Sequence, residues 1–206
     1  MPLQLKLRLS TEDDVPFLKA LWHTEFGWTE ETSECFIEQT FPDSYCIISE
    51  NYKKPRAALC LIPAYYSGKK TFSVYAVATE AKYRGMGIMS RTIETIMQWC
   101  TENECALIAK TNAKSAERFF AHRGMRPALF YDYIATRESK QTREGTKMIV
   151  RDIGDDDYIA ARHEYAAEGK TAEYNDGFMR FLLLKFRRDG GRVLRIAYGY
   201  SRFCAM

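Results

Sequence analysis

Residues 71–98 read TFSVYAVATEAKYRGMGIMSRTIETIMQ and predict a strand, a glycine-bearing loop and a helix in direct succession. The first nine residues are rich in aromatic and β-branched side chains, which is typical of a buried strand. From Ile88 onward, apolar residues recur at intervals of three and four while polar residues fill the other face, which predicts an amphipathic helix. Arg84, Gly85 and Gly87 lie in the loop between the two elements.

The loop is suited to binding an anion. A helix N-terminus leaves several backbone N–H groups unpaired and carries a partial positive charge, and glycines let a phosphate approach those groups closely. The P-loop pattern GxxxxGK[ST] is absent, and the dinucleotide-binding pattern GxGxxG has Ser90 at its third glycine position. The loop therefore indicates either a phosphate-bearing ligand of another kind or an ordinary strand-to-helix turn.

The residues around this segment predict an α/β fold with a mixed sheet. Leu3, Leu5, Leu7 and Leu9 alternate with polar residues, as expected of a half-buried strand. Extending the same reading predicts the order strand, helix, helix, three strands, helix, strand, helix and strand over residues 3–134.

The run AVATEAKYRGMGIMSRTI resembles the acyl-CoA-binding motif of the GNAT N-acetyltransferase superfamily. That motif is an arginine or glutamine, two residues, a glycine, one residue, and then a glycine or alanine. Arg84 and Gly87 match it, whereas Met89 occupies the last position. The predicted element order is also similar to that of the family. The resemblance implies the GNAT fold, acetyl-CoA as the cofactor, and transfer of its acetyl group to a primary amine.

The resemblance also implies site residues. The backbone of residues 75–77 would pair with the pantetheine arm, and the Val77 N–H would stabilise the oxyanion by about 3 kcal/mol. The pyrophosphate would be held by backbone N–H groups of residues 84–89, and Asn112 would contact the cofactor arm. The implied cofactor-binding residues are Tyr75, Ala76, Val77, Arg84, Gly85, Met86, Gly87, Ile88, Met89 and Asn112.

Acetyl transfer to an amine requires one group that removes a proton from the ammonium, and it often requires another that protonates the thiolate. In the family the second group is commonly a tyrosine four residues before a glycine, and counting back from Gly124 gives Phe120. Tyr75, Tyr131 and Tyr133 are candidate replacement acids, and Glu25 and Glu30 are candidate bases. Alternatively, a water protonates the thiolate, or the thiolate leaves unassisted. A further alternative is that the protein catalyses no transfer and is a CoA-binding or protein-interaction module.

The segment between Lys19 and Lys53 bears on the acceptor because it contains no lysine or arginine. Acidic side chains alternate there with aromatic ones such as Trp22, Trp28 and Phe36. An acidic, aromatic surface attracts an ammonium group by charge and by cation–π contact. The segment therefore predicts a small cationic amine as the acceptor. A solvated acidic face over buried aromatics is the alternative.

Composition excludes several other classes of protein. The net charge of +3 is spread evenly along the 206 residues, so we expect no nucleic-acid partner. No apolar run approaches the length that spans a bilayer, so we expect no membrane partner and a cytoplasmic location. The six cysteines form no CxxC pair, which predicts reduced thiols and no metal site.

The polar stretch at residues 136–147 predicts a linker between a GNAT domain at residues 1–135 and a small α/β half-domain at residues 148–206. RLSTEDDVPFLKALW, from Arg8, aligns without a gap with RDIGDDDYIAARHEY, from Arg151. We therefore predict that the half-domain resembles the front of a second GNAT unit. Its strands near residues 192–206 would pair with the first domain or with a second chain, which leaves a homodimer as an option.

Overall fold

The computed structural model describes residues 4–111, 113–127, 148–167, 171–198 and 201–205. The first part of the chain contains β1 (Leu5–Leu9), α1 (Val15–Phe26), α2 (Glu30–Thr40), β2 (Tyr45–Asn51), β3 (Lys54–Tyr66), β4 (Lys69–Thr79), α3 (Ile88–Glu102), β5 (Ala106–Ala109) and α4 (Lys114–Ala121). The second part contains β6 (Met148–Asp152), α5 (Asp155–Ala167), β7 (Glu173–Tyr174), α6 (Asp176–Arg188), β8 (Leu194–Tyr198) and β9 (Ser201–Ala205).

The predicted element order is confirmed from β1 to α4. The strand predicted near residues 129–134 and the linker predicted at residues 136–147 lie outside the described residues. Helix α1 ends at Gly27, which adopts a left-handed φ of 66°. Helix α2 begins behind Thr29, whose side chain accepts a hydrogen bond from the Thr32 N–H.

The larger sheet has the strand order β1-β2-β3-β4-β5. Each successive pair of strands from β1 to β4 is antiparallel, whereas β5 is parallel to β4 because α3 connects the two. The short β7 joins this sheet by pairing with Ala64 and Tyr65 of β3, beyond the point where β2 stops. The second part of the chain therefore contributes a strand to the sheet of the first.

Helices cover both faces of this sheet. Trp22 of α1, Phe36 of α2 and Phe181 of α6 are fully buried in one core on the first face. Ile93 and Ile96 of α3 pack in a second core on the opposite face. The result is a mixed sheet between two helical layers, which is the α/β class that the sequence predicted.

Apart from the short β7, the second part of the chain has the same order of elements as the opening of the first. From Arg8 to Arg151 is a shift of 143 residues, and the same shift carries Leu5–Leu9 onto Met148–Asp152. Strands β6, β8 and β9 form a separate antiparallel sheet in that order, as β1, β2 and β3 do. Strand β8 lies between β6 and β9, and among the described residues neither β8 nor β9 pairs with a strand of the first domain. Pairing with a second chain stays a prediction.

The structure also describes the state of five cysteines and the apolar character of the helices. Cys35, Cys46, Cys60, Cys100 and Cys105 are free thiols. Burial and the neighbouring Cys105 raise the pKa of Cys100 to about 12, so this thiol stays protonated at neutral pH. Within the part of the chain that the structure describes, no helix is long and apolar enough to cross a membrane.

Candidate active site

Strand β4 contains a bulge in its second half. Between the register pairs that flank the bulge, β3 contributes Leu59 alone whereas β4 contributes Ala76 and Val77. Ala76 has a φ of +48°, a conformation that L-residues rarely adopt. Tyr75 and Ala76 consequently both face the α1 and α2 layer. Because a bulge disrupts the strand ladder, backbone groups at Ala76 and Val77 can be directed to a ligand.

The same half of β4 has an open edge. Strand β5 pairs with β4 from Thr71 to Val74, opposite Ala106 to Ala109. Strand β4 continues to Thr79, and no other described strand pairs with it on this side. An extended ligand can therefore form backbone hydrogen bonds with the edge that begins at Tyr75.

The glycine loop leads from β4 into α3 and is open to solvent. Gly85 and Gly87 have φ values of 75° and 81°, and a Cβ at either position would meet no atom within 4 Å. The main-chain N–H groups of residues 85–90 donate no hydrogen bond to any described residue. Since these amides precede or belong to the first turn of α3, they form a set of donors that can bind an anion.

Arg56 anchors the start of this loop. A second bulge, in the pairing of β2 with β3, displaces Arg56 from the register. Its Nη1 donates to Glu80 Oε2 at 2.9 Å, and its guanidinium lies 4.3 Å from the centre of the Tyr83 ring. The sequence reasoning missed Arg56, because neither bulge has a residue signature that marks it.

Arg84 connects the loop to α1. Its Nη2 forms an ion pair with Glu25 Oε2, and its Nε donates to the Thr79 carbonyl oxygen at 3.3 Å. The Glu25 side chain is 9% exposed, whereas the Arg84 side chain is 57% exposed. The structure thus brings together one predicted base and one predicted pyrophosphate-binding residue.

A cleft of about 330 Å³ lies between α1 and the loop. Five of its lining residues belong to α1 and three to the segment after β4. They are Phe17, Ala20, Leu21, Thr24, Glu25, Glu80, Ala81 and Lys82. The two carboxylates in this wall are both paired with arginines, Glu25 with Arg84 and Glu80 with Arg56.

Tyr75 lies in an aromatic cluster that joins both parts of the chain. Its ring centre is 5.6 Å from that of Phe36, 5.0 Å from that of Phe178 and 6.0 Å from that of Phe181. Burial, together with the nearby Cys60, raises the pKa of Tyr75 well above its ordinary value. The phenol therefore stays protonated at neutral pH.

The other residues predicted for the site lie on the exposed surface, in the core, or outside the described residues. Glu30 is 75% exposed and pairs with Lys19 at 2.9 Å. Asn112, Tyr131 and Tyr133 lie outside the described residues. Phe120 belongs to α4 and packs, half-buried, against the core under α3. Trp22, Trp28 and Phe36 are buried, so these three rings form core rather than an accessible acceptor surface.

Comparison with known proteins identifies the fold. The model of the Acetyltransferase (GNAT) family matches residues 14–125. A sequence search of curated proteins gives no significant match. A transcriptional regulator from Bacillus halodurans C-125 is a similar solved structure, with 20% identity, a TM-score of 0.50, and coverage of 68% of this chain and 99% of that one.

Two further solved structures are an acetyltransferase and a protein in complex with a bisubstrate analog that contains CoA. An acetyltransferase of Trypanosoma brucei has 14% identity, a TM-score of 0.50, and coverage of 65% of this chain and 100% of that one. AAC(6')-Iy, in complex with the bisubstrate analog CoA-S-monomethyl-acetylneamine, has 12% identity, a TM-score of 0.50, and coverage of 63% and 98%. At these identities the likeness shows the fold alone.

The family match spans more than half of the chain, and its residues include the bulged strand, the glycine loop and α3. This chain belongs to the acetyltransferase (GNAT) family, whose acyl donor is acetyl-CoA.

Proposed function

We propose that this protein transfers the acetyl group of acetyl-CoA to the primary amine of a small cationic molecule. The observation that carries the proposal is the set of unpaired amides at residues 85–90, which adjoins a strand with a bulge and an open edge. These features suit the three parts of the donor, namely the diphosphate, the pantetheine arm and the thioester.

The donor would lie along β4. We assign its diphosphate to the Arg84 to Met89 segment and its pantetheine arm to the backbone of Tyr75, Ala76 and Val77. The free donors of the segment are the amides from Gly85 onward, because the Arg84 N–H donates to the Ala81 carbonyl oxygen at 3.3 Å. The bulge supports the assignment of the Val77 N–H to the oxyanion, because a preorganised donor of this kind stabilises the charge that develops on the thioester oxygen. Asn112 stays a predicted contact of the arm.

The transfer forms a C–N bond and breaks the C–S bond. The attacking nitrogen must lose a proton, and the departing thiolate gains one. We propose Glu25 as the group that attracts the ammonium and accepts its proton, since it lines the cleft beside the loop. Glu30 is a second candidate, although it lies on an exposed turn.

Tyr75 is the proposed proton donor to the thiolate. Phe120 cannot donate a proton, whereas Tyr75 has a phenol and lies on the strand assigned to the thioester. This role would replace the tyrosine that the family commonly has on α4. Because burial raises the pKa of this phenol and makes it a weaker acid, unassisted departure of the thiolate stays the alternative.

We further propose the domain division at residues 1–135, 136–147 and 148–206, with the last part a small α/β unit that resembles the front of the first. The shift of 143 residues that carries β1 onto β6 supports it. The pairing of β7 with β3 crosses this boundary, so the second unit is docked onto the first. A homodimer remains a prediction.

An acceptor screen tests the proposed activity. The full chain is incubated with acetyl-CoA and amines of equal size that carry positive, zero or negative charge elsewhere, and thiol release and acetylated product are both measured. We expect acetylation of the cationic amines. The matched control is the tertiary dimethyl analogue of each active amine, which keeps the charge but forms no stable amide. Thiol release without an acetylated amine, or activity confined to anionic acceptors, contradicts the proposal.

A further inference from the structure

Arg84 lies between the two substrate sites of the proposed function. It is the residue directly before Gly85, and thus belongs to the loop assigned to the diphosphate. Its guanidinium nevertheless pairs with Glu25, which lines the cleft on the α1 side. One ion pair therefore joins a donor-binding element to an acceptor-binding carboxylate.

The guanidinium can exchange partners without repacking of the core. The Arg84 side chain is largely exposed, so its arm can turn from α1 towards the loop amides. Glu25 is fixed on the last turn of α1 and keeps its place in the cleft when the guanidinium turns away. A diphosphate carries more charge than a carboxylate and accepts the guanidinium fork in two-point fashion, so it competes effectively for Arg84.

The second carboxylate of the cleft has no such freedom. Glu80 accepts from Arg56 at 2.9 Å, and the Arg56 side chain is mostly buried and stacked on Tyr83. Arg56 is held in place by β3 and by these two contacts, at the start of the loop. Glu25 is therefore the cleft carboxylate whose partner can change when an anion binds the loop.

We propose that the Arg84–Glu25 ion pair is a latch that couples the two substrates. Binding of the donor diphosphate takes the Arg84 guanidinium away from Glu25, and the released carboxylate then binds the ammonium of the acceptor. The inference rests on the proposed function and deepens it. Its consequence is an order of binding, in which the donor prepares the acceptor site. The two equilibria are linked. The factor by which the bound donor weakens the Arg84–Glu25 ion pair equals the factor by which that ion pair weakens donor binding.

Calorimetric titration with CoA, which needs no known acceptor, tests the latch. Glu25→Gln removes the competing charge with little change of shape, and we expect it to tighten CoA binding by about three- to tenfold. Glu34→Gln is the matched control, because it removes the same charge from the neighbouring helix, where Glu34 pairs with Lys19 at 2.9 Å. We expect the control to change the Kd by less than about twofold.

A double-mutant cycle separates the latch from a general charge effect. Arg84→Gln weakens CoA binding, and in that background Glu25→Gln should produce no further tightening, because no guanidinium remains to be contested. Glu25→Asp, which shortens the carboxylate arm, should give an intermediate Kd and serves as a second variant if Glu25→Gln folds poorly.

The outcomes distinguish the latch from the proposed function. Wild-type binding of CoA with an unchanged or weaker Kd in Glu25→Gln overturns the latch and leaves the donor site standing. Equal tightening in Glu25→Gln and Glu34→Gln also overturns it, since the effect is then unspecific charge. If the wild-type chain itself binds no CoA, the proposed function fails and the latch fails with it.

Discussion

The two parts of this chain have similar opening elements, and the first part continues past its third strand into the site described above. In the first, β1, α1, α2, β2 and β3 lead into the bulged β4 and the glycine loop. In the second, β6, α5, α6, β8 and β9 repeat that opening, with the same antiparallel order of strands. Among the described residues, the bulged strand and the glycine loop belong to the first part alone. The repeated elements thus supply a scaffold, and the chemistry depends on the segment after the third strand.

The second part also differs in where its helices pack. Helix α6 occupies the position that α2 has in the first part, and its two faces serve different cores. Phe178 and Phe181 enter the core around Trp28 and Phe36, whereas Leu183 packs with the second part. Arg188 strengthens the contact by pairing with Glu31 of α2. The repeat therefore acts as a support for the aromatic cluster around Tyr75.

The largest effect is expected from substitutions on the two faces of α6. Phe181→Ala removes a fully buried ring whose centre lies 4.8 Å from that of Phe36, and we expect a loss of about 3–5 kcal/mol in the free energy of unfolding. Because that ring also packs on Tyr75, CoA binding should weaken. Urea denaturation and CoA titration measure both effects.

Leu183→Ala is the matched variant on the opposite face. Leu183 is also fully buried but lies in the cluster of the second part, so we expect a loss of stability of about 2–5 kcal/mol with CoA affinity kept. A Phe181→Ala protein whose first part unfolds at the wild-type urea concentration would show that the two parts are not coupled through α6.

A smaller effect is expected at the matched acidic positions of the repeat. Asp14 accepts two hydrogen bonds from Arg8, at 2.6 and 2.7 Å, which lower the pKa of its carboxyl to about 2. The shift of 143 residues carries Asp14 onto Asp157, which is exposed. We expect Asp14→Asn to cost about 2 kcal/mol of stability at pH 7, and Asp157→Asn less than about 0.5 kcal/mol.

The pH dependence of this effect is set by the direction of the pKa shift. Because the pKa of the Asp14 carboxyl is lower in the folded protein than its ordinary value of 3.8, its contribution is present above that value and is lost as the pH falls towards 2. The difference in stability between wild type and Asp14→Asn should therefore shrink between about pH 5 and pH 2. A constant difference across this range would exclude the carboxylate as its source.

The smallest effect concerns the link between α5 and α6. His163 Nε2 lies 2.8 Å from Asp176 Oδ1, and Nδ1 lies 3.1 Å from Glu173 Oε1. These two carboxylates raise the pKa of His163 above its ordinary value, Asp176 being the stronger cause. The protonated form is thus favoured by folding, and its contribution is present below about pH 6.5 and is lost as the pH rises through the folded pKa.

We expect His163→Gln to lower stability by less than about 1 kcal/mol at pH 6, since the group is partly exposed and screened by solvent. Above about pH 8 the two proteins should converge. Thermal melts at the two pH values measure the difference, and a larger loss at the higher pH would contradict the assigned charge state.

The sequence predicted the elements well where periodicity carries the information. The alternation in β1 and the apolar stripe of α3 predicted both elements, and the glycine loop was located because two glycines precede the stripe. Strand β3 runs from Lys54 to Tyr66, longer than the predicted apolar stretch at residues 57–62, because backbone pairing with β2 and β4 continues beyond that stretch at both ends. Period-two patterns report burial, and paired but exposed ends lack them.

The site was predicted only in part, because its remaining features depend on long-range geometry. Nothing in residues 74–78 marks Ala76 as a left-handed residue, since glycine or asparagine is the usual signal. The pairing of Arg84 with Glu25 joins residues far apart in the chain. The acidic stretch after Lys19 was read correctly as charged, but Lys19 and Arg188 offset part of that charge, and several of its aromatics are core.

The central claim is that one donor site exists and that the loop amides before and in the first turn of α3 form it. Calorimetric titration of the full chain with CoA tests this most directly when wild type is compared with Gly87→Val and Gly68→Val. Both glycines have left-handed φ values, 81° and 74°, and open space around the missing Cβ, so the backbone strain is matched and only the place differs. We predict one CoA per chain for wild type and Gly68→Val, and no measurable binding for Gly87→Val. Undiminished binding by Gly87→Val, or two CoA molecules per chain, would contradict the account.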